Sequence, residues 1–218
     1  MICLIGTTQN KWDTPIDLSI LWETYSRICR PTTPIVLFAQ SPFDKVLGVS
    51  NLKNLRFEWI WEKTVPTGFL NAKKIPLKAH ENILVFYEKL PTYNPQFTEG
   101  ASPYRQKKTH IQSSNYGNSS KDIITESSGR RYPKSVLKFK RDKGLHPTQK
   151  PVALLEYLIR TYTNEGDTIL DNCMGSGSTG VAAMNARRNF IGIEKEADYF
   201  KIAQERIAEA QSFQLLNS

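Results

Sequence analysis

The chain has 218 residues, 39% of them hydrophobic, with 29 Lys and Arg against 21 Asp and Glu and a formal net charge of +8. That apolar content supports one full core with a small appended lobe. No apolar run approaches the ~20 residues that cross a bilayer, and nothing at the start resembles a cleavable signal. The cysteines, Cys3, Cys29 and Cys173, have no C-x-x-C spacing. We therefore expect a cytoplasmic protein with free thiols, no metal site and no membrane partner.

In chain order, the first periodic segment is helical, Ile16 to Arg30, with Ile16, Ile20, Leu21, Tyr25 and Ile28 on one face. Pro34 to Ala39 reads as a buried strand of the parallel type, and Pro42 to Val49 as a short helix. Leu55 to Trp61 alternates, Asn82 to Tyr87 is a second apolar run, and the two are expected to pair antiparallel at the sheet edge. Trp59, Trp61 and Tyr87 stand at strand spacing and are read as core.

Charge is concentrated in residues 101–150, which hold twelve Lys and Arg against three Asp and Glu, whereas the rest of the chain is nearly neutral. The stretch is also rich in Ser, Asn, Gly and Tyr. Clustered cations on a loop-rich insertion suit phosphate contact, with Arg130, Arg131, Lys134, Lys138 and Lys140 as candidates. The alternative is a solvated linker.

Leu145 to Pro151 opens an amphipathic helix, Val152 to Thr163, carrying Leu154, Leu155, Leu158 and Ile159. Beyond it, Thr168-Ile169-Leu170 runs into Asp171-Asn172-Cys173-Met174-Gly175-Ser176-Gly177-Ser178-Thr179-Gly180, then a helix, then Phe190-Ile191-Gly192-Ile193 closed by Glu194. This is a β-α-β unit with G-x-G-x-x-G spacing and an acid at the tip of its second strand, a placement suited to ribose hydroxyls. Asp171 stands where the pyrophosphate of a dinucleotide would lie. A carboxylate there repels a diphosphate and attracts an ammonium or sulfonium group, which favours S-adenosylmethionine over NAD. A nicotinamide-dependent oxidoreductase is the alternative resting on the glycine spacing alone, and a packing Asp beside turn glycines is the non-functional one.

His146-Pro-Thr-Gln-Lys-Pro151 followed by the Asp171 glycine loop resembles the permuted, β-class amino-methyltransferases of DNA, adenine-N6 type. The resemblance implies a doubly wound, Rossmann-like α/β sheet with an antiparallel edge strand and an inserted basic recognition region. Its implied organisation is a catalytic half over residues 1–90, a DNA target-recognition insertion over 91–143, and a cofactor-binding half over 144–218. It further implies that His146, Thr148 and Lys150 lie beside the methionine end of S-adenosylmethionine, and that Asp171, Met174, Gly175, Ser176, Gly177 and Thr179 cradle it. Glu194 would hold the ribose. The implied partner is double-stranded DNA, and the implied oligomeric state a monomer or loose dimer in a bacterial or phage-infected cell.

The start of the chain departs from that pattern. The family's catalytic motif is Asp, Asn or Ser followed by Pro-Pro-Tyr. Its polar side chain and first prolyl carbonyl accept the hydrogens of the base's amine, and its ring stacks on the flipped base. Gly6 to Trp12 resembles the stretch immediately C-terminal to this motif, so Ile2, Cys3, Leu4 and Ile5 take the catalytic positions. None of these side chains accepts a hydrogen bond from an amine. The expectation is a chain shortened at its N-terminus, or a catalytically silent DNA-binding or regulatory relative.

Overall fold

The computed structural model describes residues 17–100, 102–108, 112–113, 117–118, 123–142, 144 and 149–216. Two compact units emerge, one of residues 95–134 and one of the remainder.

In the larger unit, helix α1 (Leu18–Ile28) starts where the Asp17 carboxylate accepts the backbone N–H groups of Ser19 and Ile20, at 2.8 and 3.3 Å. These are donors a helix start leaves orphaned. Strand β1 (Ile35–Ala39) and helix α2 (Phe43–Ser50) follow, then strands β2 (Leu55–Thr67) and β3 (Lys78–Phe86). Strand β3 lies between β1 and β2 and is antiparallel to both, with Leu37 opposite Leu84 and Trp59 opposite Ile83. On the far side of β2 runs β8 (Val136–Phe139), parallel to it, with Trp61 opposite Leu137. Helix α3 (Val152–Tyr162) comes next; its Val152 N–H is received by the Asp142 carboxylate at 3.0 Å. Strand β9 (Thr168–Asp171), helix α4 (Ser178–Asn185) and the parallel strand β10 (Asn189–Gly192) form the expected β-α-β unit, and α5 (Ala197–Leu216) ends the fold.

The alternation of side chains along β1 and β3 generates two cores. Val36, Phe38, Ile83 and Val85 face one way, onto Leu154, Leu155, Leu158 and Ile159 of α3 and Ala182 and Ala183 of α4. Leu37, Ala39, Leu84 and Phe86 face the other way, onto Leu21 and Tyr25 of α1 and Leu47 of α2. A sheet buried on both faces by helices is the doubly wound α/β arrangement. Trp59 and Trp61 are core as expected, their indole N–H groups satisfied by the Tyr162 hydroxyl at 2.8 Å and the Phe139 carbonyl at 3.0 Å.

Three expectations are corrected. The antiparallel pair β2–β3 sits inside the sheet, because β1 and β8 flank it. Val136–Phe139, read as insertion, is a strand of the main sheet, so the smaller unit ends before it. Cys173 is disulfide-bonded, whereas Cys29 is free; separation along a chain sets no bound on separation in space.

In the smaller unit, β4 (Tyr104–Lys108) pairs antiparallel with β7 (Ile123–Ser127), and Thr98 bridges Arg131. A two-residue pairing joins β5 (Gln112–Ser113) to β6 (Gly117–Asn118). Among the described residues no helix is long and apolar enough to cross a membrane, and no cluster of His, Cys, Asp and Glu could hold a metal ion.

Candidate cofactor site and basic surfaces

The loop between β9 and α4 is shaped from both sides. Gly175 and Gly177 have φ of 52° and 79°, a left-handed backbone that β-carbon-bearing residues resist. At Gly177 a Cβ would also come within 2.9 Å of the Ala203 backbone, so α5 can approach only a glycine. Arg206 of the same helix donates to the Ser176 carbonyl at 2.5 Å and reaches the Ser176 and Ser178 hydroxyls at 3.2 and 3.3 Å. Gly177 thus serves packing as well as the turn.

Two carboxylates bracket this loop. Asp171, at the end of β9, is 3% exposed. Its Oδ1 accepts the Cys173 N–H at 3.1 Å. Burial pushes its carboxyl up to about 6; the Thr179 hydroxyl and the Cys173 N–H pull against the rise, and the charge of Glu194 adds to it. Glu194, beyond β10, accepts the Gly175 N–H on Oε2 at 2.8 Å and the Lys195 and Glu196 N–H groups on Oε1 at 2.9 and 3.0 Å. It therefore ties the glycine turn to the second strand, with acceptor capacity left on Oε2. Met174 and Ser176 are buried in the same loop, and Thr179 in the first turn of α4. A turn held between two acids, one deeply buried, is electrostatically suited to a cationic ligand and hostile to a diphosphate.

Lys150 has a different setting. Its Nζ lies 2.6 Å from Glu81 Oε2, while Lys63 Nζ lies 2.6 Å from Glu81 Oε1, and all three side chains are buried. The Lys150 ammonium also stands over the rings of Phe38 and Trp61, at 5.2 and 5.7 Å from their centroids. Burial lowers Lys150 from its ordinary value, with Glu81 opposing. For Glu81 burial acts upward, but the two ammonium groups outweigh it and hold the carboxyl below its ordinary value. Lys63 and Glu81 carried no signal in the sequence, because each is an ordinary strand residue until the sheet and α3 bring the three together. Arg206 and Tyr25, whose hydroxyl lies 3.4 Å from Asn172 Oδ1, were missed for the same reason. His146 and Thr148, and the catalytic positions Ile2, Cys3, Leu4 and Ile5, lie outside the described residues.

The candidate DNA-contacting residues divide. Arg131 donates to Ser127 Oγ at 2.5 Å and to the Ser102 carbonyl at 2.7 Å, and lies over the Tyr104 ring at 4.9 Å. Arg130 pairs with Glu99 at 2.7 Å and covers Phe97. Both make these contacts within the smaller unit, Arg130's ion pair being exposed. Lys134 is exposed, Lys138 makes an exposed pair with Glu62 on the main sheet, and Lys140 is exposed beyond β8. Arg131→Ala is expected to loosen the smaller unit by about 1.5–3 kcal/mol, the value of hydrogen bonds from a charged donor. Hydrogen exchange along β4 and β7 measures it, and unchanged protection would show that Arg131 is free for a ligand.

A model of the DNA methylase family N6_N4_Mtase matches residues 24–205. The type II methyltransferase M2.DpnII of Streptococcus pneumoniae is 46% identical over 93 residues, 43% of this chain and 32% of that protein. M2.LlaDCHI of Lactococcus lactis subsp. cremoris is 42% identical over 101 residues, 46% of this chain and 35% of that protein. The aligned segments span about a third of the length of these curated relatives. Among solved structures, the M1.HpyAVI-SAM complex superposes with a TM-score of 0.60 at 27% identity, covering 84% of this chain and 78% of that one. The cytosine-N4-specific PvuII DNA methyltransferase shares the fold, with a TM-score of 0.63 at 14% identity over 100% of this chain and 85% of that one. The chain belongs to the N6_N4_Mtase family of DNA methylases.

Proposed function

We propose that this protein binds S-adenosylmethionine in the loop between Asp171 and Glu194 and acts, by its type, on adenine N6 in double-stranded DNA of the bacterial or phage-infected cytoplasm. The observation that carries this reading is the buried Asp171 carboxylate at a glycine turn whose other wall is Glu194. The donor set fits: the two acids that bracket the turn favour an ammonium and a sulfonium over a phosphate. That cofactor, when bound, supplies a methyl group made electrophilic by its positive sulfur. The chain's residues do the rest: Asp171 offers negative charge to the donor's cationic end, Glu194 Oε2 can accept one ribose hydroxyl beside the Gly175 N–H, and Gly175 and Gly177 let the backbone come close. The nicotinamide alternative fits neither this charge nor the family.

A second reading has its own observation. The sequence ahead of Gly6 is Ile2-Cys3-Leu4-Ile5, where relatives of the resembled type carry an amine-accepting tetrapeptide. The scaffold then binds cofactor and DNA without efficient transfer. Transfer of a labelled methyl group to adenine-containing duplex DNA separates the two: the chain as given is expected to run near background. Introducing Ile2→Asp, Cys3→Pro, Leu4→Pro and Ile5→Tyr together is expected to raise the rate. Normal turnover in the unaltered chain would refute the silent reading, and preferential NAD binding by calorimetry would refute both.

A further inference from the structure

Strands β2 and β3 run on past the core as a hairpin arm. Their regular register ends at Glu62 opposite His80 and resumes at Thr67 opposite Lys78. Between those strands every residue from Gly68 to Leu77 is exposed. The tip is nonetheless ordered by its own hydrogen bonds. Gly68 takes a left-handed φ of 89°, a 3-10 turn spans Phe69–Asn71, and the N–H groups of Asn71, Ala72, Lys74 and Ile75 are all received by carbonyls within the tip. On that built turn Phe69 is 81% exposed and Leu70 100% exposed. Large apolar side chains held outward on an ordered turn have no role in the core below them.

The charge around them points one way. From Lys63 to His80 there is no Asp or Glu, and Lys73, Lys74 and Lys78 are exposed beside the apolar tip. A cationic arm ending in an apolar pair matches a polyanion with a stacked apolar interior: lysines meet phosphates, and an apolar wedge enters between base steps. A lipid surface favours a longer amphipathic helix with one apolar face, which this short turn lacks.

We propose that the β2–β3 arm is a DNA-contacting wedge, in which Phe69 and Leu70 press against or between base pairs while Lys73, Lys74 and Lys78 bind the flanking phosphates. This rests on the reading of the protein as a DNA methyltransferase, and adds to it a contact on the main sheet that the basic 101–150 stretch does not include.

The test is fluorescence anisotropy of a mixed-sequence labelled duplex across a salt series, with the full chain, the double variant Phe69→Ala/Leu70→Ala, and the double variant Lys73→Ala/Lys74→Ala. The apolar variant is expected to bind DNA at least about tenfold more weakly. The lysine variant should lower the slope of log affinity against log salt by about 1.8, two released counterions at about 0.9 each. Both should keep the parent's melting temperature and S-adenosylmethionine affinity, since neither pair packs on the fold. If the parent binds DNA and both variants bind it equally, the wedge is wrong and the methyltransferase reading stands. If the parent binds no DNA at any salt, both fall. Loss of binding to phosphatidylglycerol vesicles, or of a parent dimer, with DNA binding intact would assign the tip to a membrane or a second copy and overturn the proposal.

Discussion

Glu81→Ala is expected to destabilise the protein by about 3–5 kcal/mol, because removing one partner of a buried ionic group leaves the others uncompensated. Here two ammonium groups share the one carboxylate at 2.6 Å each, and Glu81 is 5% exposed. Against a typical stability of about 5–15 kcal/mol, that loss brings the variant close to unfolding. Urea denaturation measures it, and a loss below about 1 kcal/mol would mean that water replaces the carboxylate. A triple replacement, Lys63→Met/Glu81→Leu/Lys150→Met, removes all three charges and is expected to recover the stability, as apolar substitutes for buried ion pairs often do. If Lys150 also serves the cofactor, that variant will be stable yet poor in S-adenosylmethionine affinity, so the two roles separate. The pH dependence stems from Glu81 lying below its ordinary value of 4.5. Its contribution is fully present above 4.5 and is lost as pH falls through the depressed folded value.

Asp171→Asn is expected to move stability and cofactor affinity in opposite directions. The carboxyl titrates near 6 in the folded chain against 3.8 ordinarily, chiefly because it is buried. A raised acid holds its proton more tightly when folded, so stability declines as pH rises from 3.8 to about 6 and is level above. At neutral pH the buried charge costs up to about 3 kcal/mol, taking about 1.4 kcal/mol for each pH unit. Asparagine keeps an oxygen for the Cys173 N–H and is never charged, so the variant without cofactor should melt several degrees higher near pH 8 and lose this slope. S-adenosylmethionine affinity should fall by at least about tenfold, equivalent to roughly 1.4 kcal/mol. In the parent, cofactor affinity should strengthen as pH rises through about 6. Equal affinity at pH 5 and pH 8 in the parent, with an unaffected variant, would leave Asp171 a purely structural residue.

These two residues illustrate what is legible in a sequence. Asp171 stood out because its meaning is local: strand, acid, glycines, helix and second acid succeed one another within a single β-α-β unit, and the fold preserves that order. Glu81 has no such context. Its importance arises from Lys63 across the hairpin and Lys150 ahead of α3, contacts between residues far apart in the chain. Arg131 shows the same limit. A run of cations reads as a phosphate-binding surface, while the contacts of this guanidinium to Ser127, the Ser102 carbonyl and Tyr104 become visible only once β4 and β7 pair. Helix α5 was overlooked because a single residue of it, Ala203, is buried, which leaves almost no apolar stripe.

Apolar periodicity and turn glycines in the sequence alone determined the helices on both faces of the sheet, the β9–α4–β10 unit, the core tryptophans and the acid-bracketed glycine loop. These depend on interactions among neighbours in the chain. The tertiary structure alone decided that β3 lies between β1 and β2, that β8 joins the main sheet, that Lys150 is clamped by Glu81, and that Phe69 and Leu70 stand outside the core. Strand partners and buried charge pairs are set by which distant segments meet, and periodicity along the chain does not record that.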